Sequence, residues 1–95
     1  MSKVIWKFSL LTGGTTILNL PKNAITLSVG SILGEYDLFL WEECETEMIN
    51  SGLYEERRFL AIGTGWVYDE SEKMKYIGTA VVGPFVWHVY EIIKS

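Results

Sequence analysis

Apolar residues along this chain recur at every second position rather than every third or fourth. In VIWKFSL, residues 4–10, Val4, Trp6, Phe8 and Leu10 fall on one side and Ile5, Lys7 and Ser9 on the other, which is the alternation of a half-buried strand. Gly13 and Gly14 interrupt the pattern, and TTILNL at 15–20 predicts a second strand, ended by Pro21 and a turn at Lys22 and Asn23. Ile25, Leu27 and Val29 then alternate with Thr26, Ser28 and Gly30 in a third strand, and Gly34 and Glu35 turn the chain into YDLFLWEEC. There Phe39 and Trp41 oppose Leu38 and Leu40, so both faces are apolar and the segment is expected to be a central strand.

The segment ETEMINSGLYEE, 45–56, abandons the alternation and predicts an exposed acidic loop with room for one helical turn before Asn50, Ser51 and Gly52. Alternation returns in RRFLAIGTGW at 57–66, is broken by the polar link DESEK at 69–73, and resumes in MKYIGTAVV. Gly83 and Pro84 form a hairpin turn, and FVWHVYEII supplies the last strand. The expectation is an all-β fold, a small antiparallel sandwich or barrel of about seven strands with one acidic loop, forming a single domain over residues 1–95. Ile-Gly-Thr occurs at 62–64 and again at 77–79, which suggests two strands lying side by side where something approaches the backbone closely.

Composition narrows the classes of function. A chain of 95 residues with 48% hydrophobic and 21% charged residues can bury a single core. Twelve acidic against eight basic residues give a net charge of -4, which repels polyanions, so DNA and long RNA are not expected partners. The single cysteine, Cys44, allows no internal disulfide and no cysteine-rich zinc site, and fits a reducing cytoplasm. The start, MSKVIWKFSLL, lacks the apolar stretch of a signal peptide, and no apolar run is long enough for a membrane helix; the expected setting is the cytoplasm, without a membrane.

Chemistry-bearing residues are few. Gly63-Thr64-Gly65 has the look of a phosphate cradle, but neither a third glycine nor a Gly-Lys-Ser/Thr ending follows, so a strand bending at its glycines is the simpler reading. Arg57 and Arg58 point to opposite faces of a regular strand, so one is expected in a salt bridge and the other is available to an anion or a stacked ring. His88, the one histidine, shares its strand face with Val86 and Tyr90, and nothing in the spacing ties it to Cys44 or to a serine and an orienting acid. No catalytic residue, metal ligand or cofactor is therefore assigned. Four tryptophans, five tyrosines and four phenylalanines exceed what a core of this size needs, so some belong to a pocket or an interface. Trp6, Phe39, Trp41 and Trp87 are assigned to the core, and Trp66 and Tyr54 to recognition.

Arg58-Phe59, Gly63-Thr64-Gly65, Tyr76-Ile77-Gly78-Thr79 and the terminal Val86 to Glu91, together with Leu20 to Ala24 and Leu40-Trp41, resemble a family of small bacteriophage and prophage proteins. The likeness spans nearly the whole chain and departs in ETEMINSGLYEE, where that family is shorter and rich in proline and aspartate. It implies a small phage-encoded protein that acts by binding in the bacterial host cytoplasm.

Two functional expectations follow. One is a sponge for a nucleotide-derived bacterial immune signal, a small anionic ligand held by Arg57 or Arg58, Gly63, Thr64, Gly65, Trp66, Tyr76, Thr79 and His88, with pockets formed in a homo-oligomer. The other is an interaction module that inhibits a host protein through a strand edge or through Met48, Leu53 and Tyr54 of the acidic loop.

Overall fold

A computed structural model describes residues 2–69 and 72–93; Glu70 and Ser71 of the polar link lie outside the described residues. Seven strands form: β1 (Lys3–Leu10), β2 (Gly14–Pro21), β3 (Ile25–Gly30), β4 (Leu38–Glu45), β5 (Tyr54–Gly63), β6 (Met74–Val82) and β7 (Phe85–Ile92). They make two antiparallel sheets, ordered β1-β4-β3 and β2-β5-β7-β6, stacked as a sandwich rather than closed into a barrel. The acidic segment contributes one short helix, α1 (Thr46–Ser51), ended by Gly52 in the left-handed conformation at φ 67°.

The period-two pattern explains the layers. β1 turns Val4, Trp6, Phe8 and Leu10 inward as its alternation requires. β4 is the middle strand of its sheet; Leu38, Leu40 and Cys44 enter the core, while Phe39 is covered on the outside by Trp41 and by the Lys7 ammonium 4.4 Å from its ring. From the other sheet Leu20, Phe59, Ala61, Ala80, Val82, Trp87 and Val89 complete one continuous core. Fully burying a side chain of the size of Leu38 or Phe59 stabilises the fold by about 1.5–3 kcal/mol.

Two bulges revise the simple alternation. In β3 the register shifts between Thr26 and Ser28, which turns Thr26 and Val29 inward and leaves Ile25 and Leu27 exposed, so Ile25, Leu27 and Val29 do not share a face. In β6 it shifts between Tyr76 and Gly78. The bulged stretches of β3 and β6 face each other across the layers: a Cβ on Gly78 would stand 3.0 Å from Val29 Cγ1, and Ser31 Oγ donates to the Val81 carbonyl at 2.7 Å. The sandwich is drawn together along that side.

The two Ile-Gly-Thr copies are not in adjacent strands. β7 runs between β5 and β6, so the copies flank it from either side.

Candidate functional site

Strand geometry separates the two arginines. Arg57 points into the sandwich. Its Nε and one Nη donate to both carboxylate oxygens of Glu91 at 2.7 and 2.8 Å, and its other Nη donates to the Ala24 carbonyl at 2.6 Å. Thr26 joins the cluster, accepting from Arg57 at 3.2 Å and donating to Glu42 at 2.5 Å. Arg57 thus faces two buried carboxylates: Glu91 in a bidentate pair, and Glu42, whose Oε1 lies 3.7 Å from the guanidinium without a hydrogen bond. Burial pushes the Glu42 carboxyl above its ordinary 4.5, against the opposing pull of the Thr26 hydrogen bond and the Arg57 charge. The hydrogen bond and charge of Glu91 raise Arg57 beyond its already high value. Burial also raises the Cys44 thiol, and the nearby Glu42 charge adds to it.

Arg58 lies on the opposite, outer face and pairs with Glu72 at 2.8 Å. A cleft of about 760 Å³ runs past both arginines, but Glu55, Glu56 and Glu91 wall it as well. Both guanidiniums are engaged by carboxylates, where sequence reasoning assigned a salt bridge to one alone.

The outer face of the four-stranded sheet gathers four of the other assigned residues. His88 of β7 stands opposite Thr79 of β6, and its Nδ1 is hydrogen-bonded to Thr79 Oγ1 at 3.0 Å. From the other side Thr64, in the bend that follows β5, is hydrogen-bonded to Nε2 at 2.7 Å. The Tyr76 hydroxyl is hydrogen-bonded to Thr79. The imidazole is therefore clamped at both nitrogens by hydroxyls, one from each Ile-Gly-Thr copy. That placement is the physical content of the sequence echo: two equivalent segments grip one histidine across the strand between them.

Tyr90, two residues along, packs against Tyr68 and Tyr76 with centroids 6.0 and 5.4 Å apart. Tyr68 and Tyr90, with the 62–66 stretch that includes Thr64 and Trp66, enclose a depression of about 180 Å³ beside His88. A histidine held by two hydroxyls has its orientation fixed, and since a hydroxyl can donate or accept, either tautomer is satisfied; the groups that hold it are threonines rather than a carboxylate, so the arrangement presents hydrogen-bonding edges instead of an activated nucleophile.

The Gly63–Trp66 bend, closed by Trp66 N–H donating to the Gly63 carbonyl at 3.0 Å, turns Trp66 toward the end of the sandwich. There its ring covers the bare Cα atoms of Gly63 and Gly13 and meets Trp87 edge to face at 5.2 Å. Trp66 thus lines this end cleft as well as the depression beside His88.

The acidic segment is anchored more firmly than a loop: Ile49 packs on the core, Leu53 N–H donates to the Met48 carbonyl, and Lys22 N–H donates to the Leu53 carbonyl. Met48 and Tyr54 are half-buried and Leu53 is exposed, so the three do not form one exposed apolar patch. Sequence reasoning missed the Glu42–Thr26–Arg57–Glu91 cluster. The signal was there in the apolar facing of β4, where Glu42 follows Leu38 and Leu40 at the same inward period.

No helix among the described residues is long and apolar enough to cross a membrane, and among those residues no group of three or more His, Cys, Asp or Glu side chains is placed to hold a metal ion. No curated protein and no solved structure matches the chain. A family model does, over residues 1–95, and the chain belongs to that family, described as a domain of unknown function (DUF7352).

Proposed function

We propose that this chain is a binding module without catalytic chemistry, that its working surface is the outer face of the four-stranded sheet around His88, and that its partner is a protein. The observation that carries this is the convergence of Thr64 and Thr79 on His88, with Tyr76 hydrogen-bonded to Thr79 and with Tyr68 and Tyr90 alongside. Tyrosine and histidine give a partner apolar area and polar edges together, and their hydrogen bonds fix them beforehand, which lowers the entropy lost on association.

Depth favours a protein over a small molecule at this face. The depression beside His88, about 180 Å³, is smaller than the roughly 300–1,000 Å³ of small-ligand sites. Strands spaced about 4.8 Å apart and rising about 3.4 Å per residue make this face about 500 Å² in projection. That is of the order of the roughly 800 Å² per partner in a standard interface. The expectation of a nucleotide-derived anion leans on Arg57 and Arg58, and the carboxylates around both weigh against it.

The test is affinity capture from bacterial lysate with the wild-type chain, His88→Ala, Tyr76→Ser and the pair Leu53→Ala/Tyr54→Ala. A protein retained by wild type and by the pair, and lost with either of the first two, is the expected result. Loss with the pair alone would move the surface to the acidic segment, and capture of no protein by folded wild type would overturn the proposal.

A further inference from the structure

The end of the sandwich carries a second cleft, which shares Gly63, Thr64 and Trp66 with the depression beside His88 but does not include His88 itself. A cleft of about 520 Å³, inside the small-ligand range, opens between Trp66 and Phe85, with Trp87 as its floor and Thr12, Thr64 and Pro84 on its rim. Trp66 and Phe85 are 54% and 63% exposed, large apolar rings on either side of an indole that is 7% exposed. Phe85 tilts against Trp87 at 6.3 Å and Trp66 meets it edge to face at 5.2 Å.

One buried atom here is unsatisfied. The Trp87 indole Nε1–H has no acceptor among the described residues. A buried donor left unpaired is costly, so an occupant that brings an acceptor gains more here than at the open surface. Trp66 packs edge to face on the Trp87 indole and is itself half-exposed. Among the described residues no Lys, Arg, Asp or Glu lines the cleft, so a charged ligand would be desolvated there without a counter-charge from them.

We infer that this cleft binds an uncharged, planar heteroaromatic molecule bearing a hydrogen-bond acceptor, stacked between Trp66 and Phe85 and accepting from Trp87 Nε1–H.

Caffeine, flat, uncharged and supplied with acceptors but no donor, is the probe. Tetramethylammonium and adenosine monophosphate serve as the cationic and anionic comparisons. In ¹H–¹⁵N correlation spectra the four indole N–H signals report separately, with Trp6 and Trp41 as internal controls. Caffeine at about millimolar concentration should shift the Trp87 and Trp66 signals saturably and leave Trp6 and Trp41 in place. Phe85→Ala, a change at an exposed ring, should weaken the effect about fivefold, as loss of one stacked ring does. Trp87→Phe should weaken it while leaving the ring contact. The inference is overturned if caffeine moves no Trp87 signal in the folded protein, or if either charged probe shifts it at lower concentration. Neither result bears on His88-dependent capture of a protein.

Discussion

Replacing Arg57 with methionine tests the interior of the sandwich most directly. The methylene stem is kept and the guanidinium lost, so Glu91 forfeits the two hydrogen bonds from Arg57, Glu42 the cation beside it, and the Ala24 carbonyl its donor. Removing one member of a buried ion pair costs about 3–5 kcal/mol, since the remaining charge stays desolvated. Arg57 and Glu91 side chains keep 15% and 11% of their exposure, so the lower end, about 3 kcal/mol, applies. That is a large share of the roughly 5–15 kcal/mol by which a domain is stable. With a urea slope of about 1 kcal/mol per molar for a chain of this length, the midpoint should fall by about 3 M. Arg58→Met is the control, because its pair with Glu72 is 35% and 50% exposed and such pairs contribute about 0–1 kcal/mol. Urea denaturation followed by tryptophan fluorescence and by circular dichroism measures both variants. Equal losses for Arg57→Met and Arg58→Met would refute the assignment of Arg57 to a buried, stabilising cluster.

Other outcomes follow from the same geometry. Since Glu42 holds its proton more tightly folded than unfolded, stability from this group is fully present below its unfolded value of 4.5 and is lost as pH rises through the higher folded value. The slope in that window is about 1.4 kcal/mol per pH unit. Glu42→Gln should flatten the fall in urea midpoint as pH rises above 4.5, and an unchanged profile would remove Glu42 from the account. Gly63→Ala places a Cβ 2.7 Å from the Trp66 ring and should displace it at a cost of about 1–3 kcal/mol, read as a red shift in emission, whereas Gly65→Ala meets no neighbour and carries only the strain of its φ of +86°.

The seven strands were legible because one face of nearly every strand is apolar at period two, and the turns fall at Gly13–Gly14, Lys22–Asn23 and Gly83–Pro84 where left-handed φ values are needed. What was not legible depends on bulges. A one-residue slip at Thr26–Ser28 put Thr26, rather than Ile25 and Leu27, inside, and no local pattern marks where a strand slips. The pairing of sheets was equally hidden: Ile-Gly-Thr at 62–64 and 77–79 suggested neighbouring strands, and only the strand order shows β7 with His88 lying between them. Within the His88 cluster the residue types were readable and the partners were not. Which arginine would be paired was not readable, since the carboxylates that hold Arg57, Glu91 and Glu42, are brought beneath it from distant strands.

The strand order also has a consequence for how the chain reaches this structure. β6 and β7 meet through the tight turn at Gly83 and Pro84, whereas β1 waits for β4 and β2 for β5, partners from Leu10↔Leu38 to Gly14↔Ala61 that lie far apart in the chain. Pairings of that separation carry a large loop-closure cost before their contacts form, which places folding in the millisecond-to-second range rather than the microsecond range. The β6–β7 hairpin is the natural nucleus. His88 and Thr79 sit in it, opposite one another, so half of the clamp is assembled from local sequence before either sheet is complete.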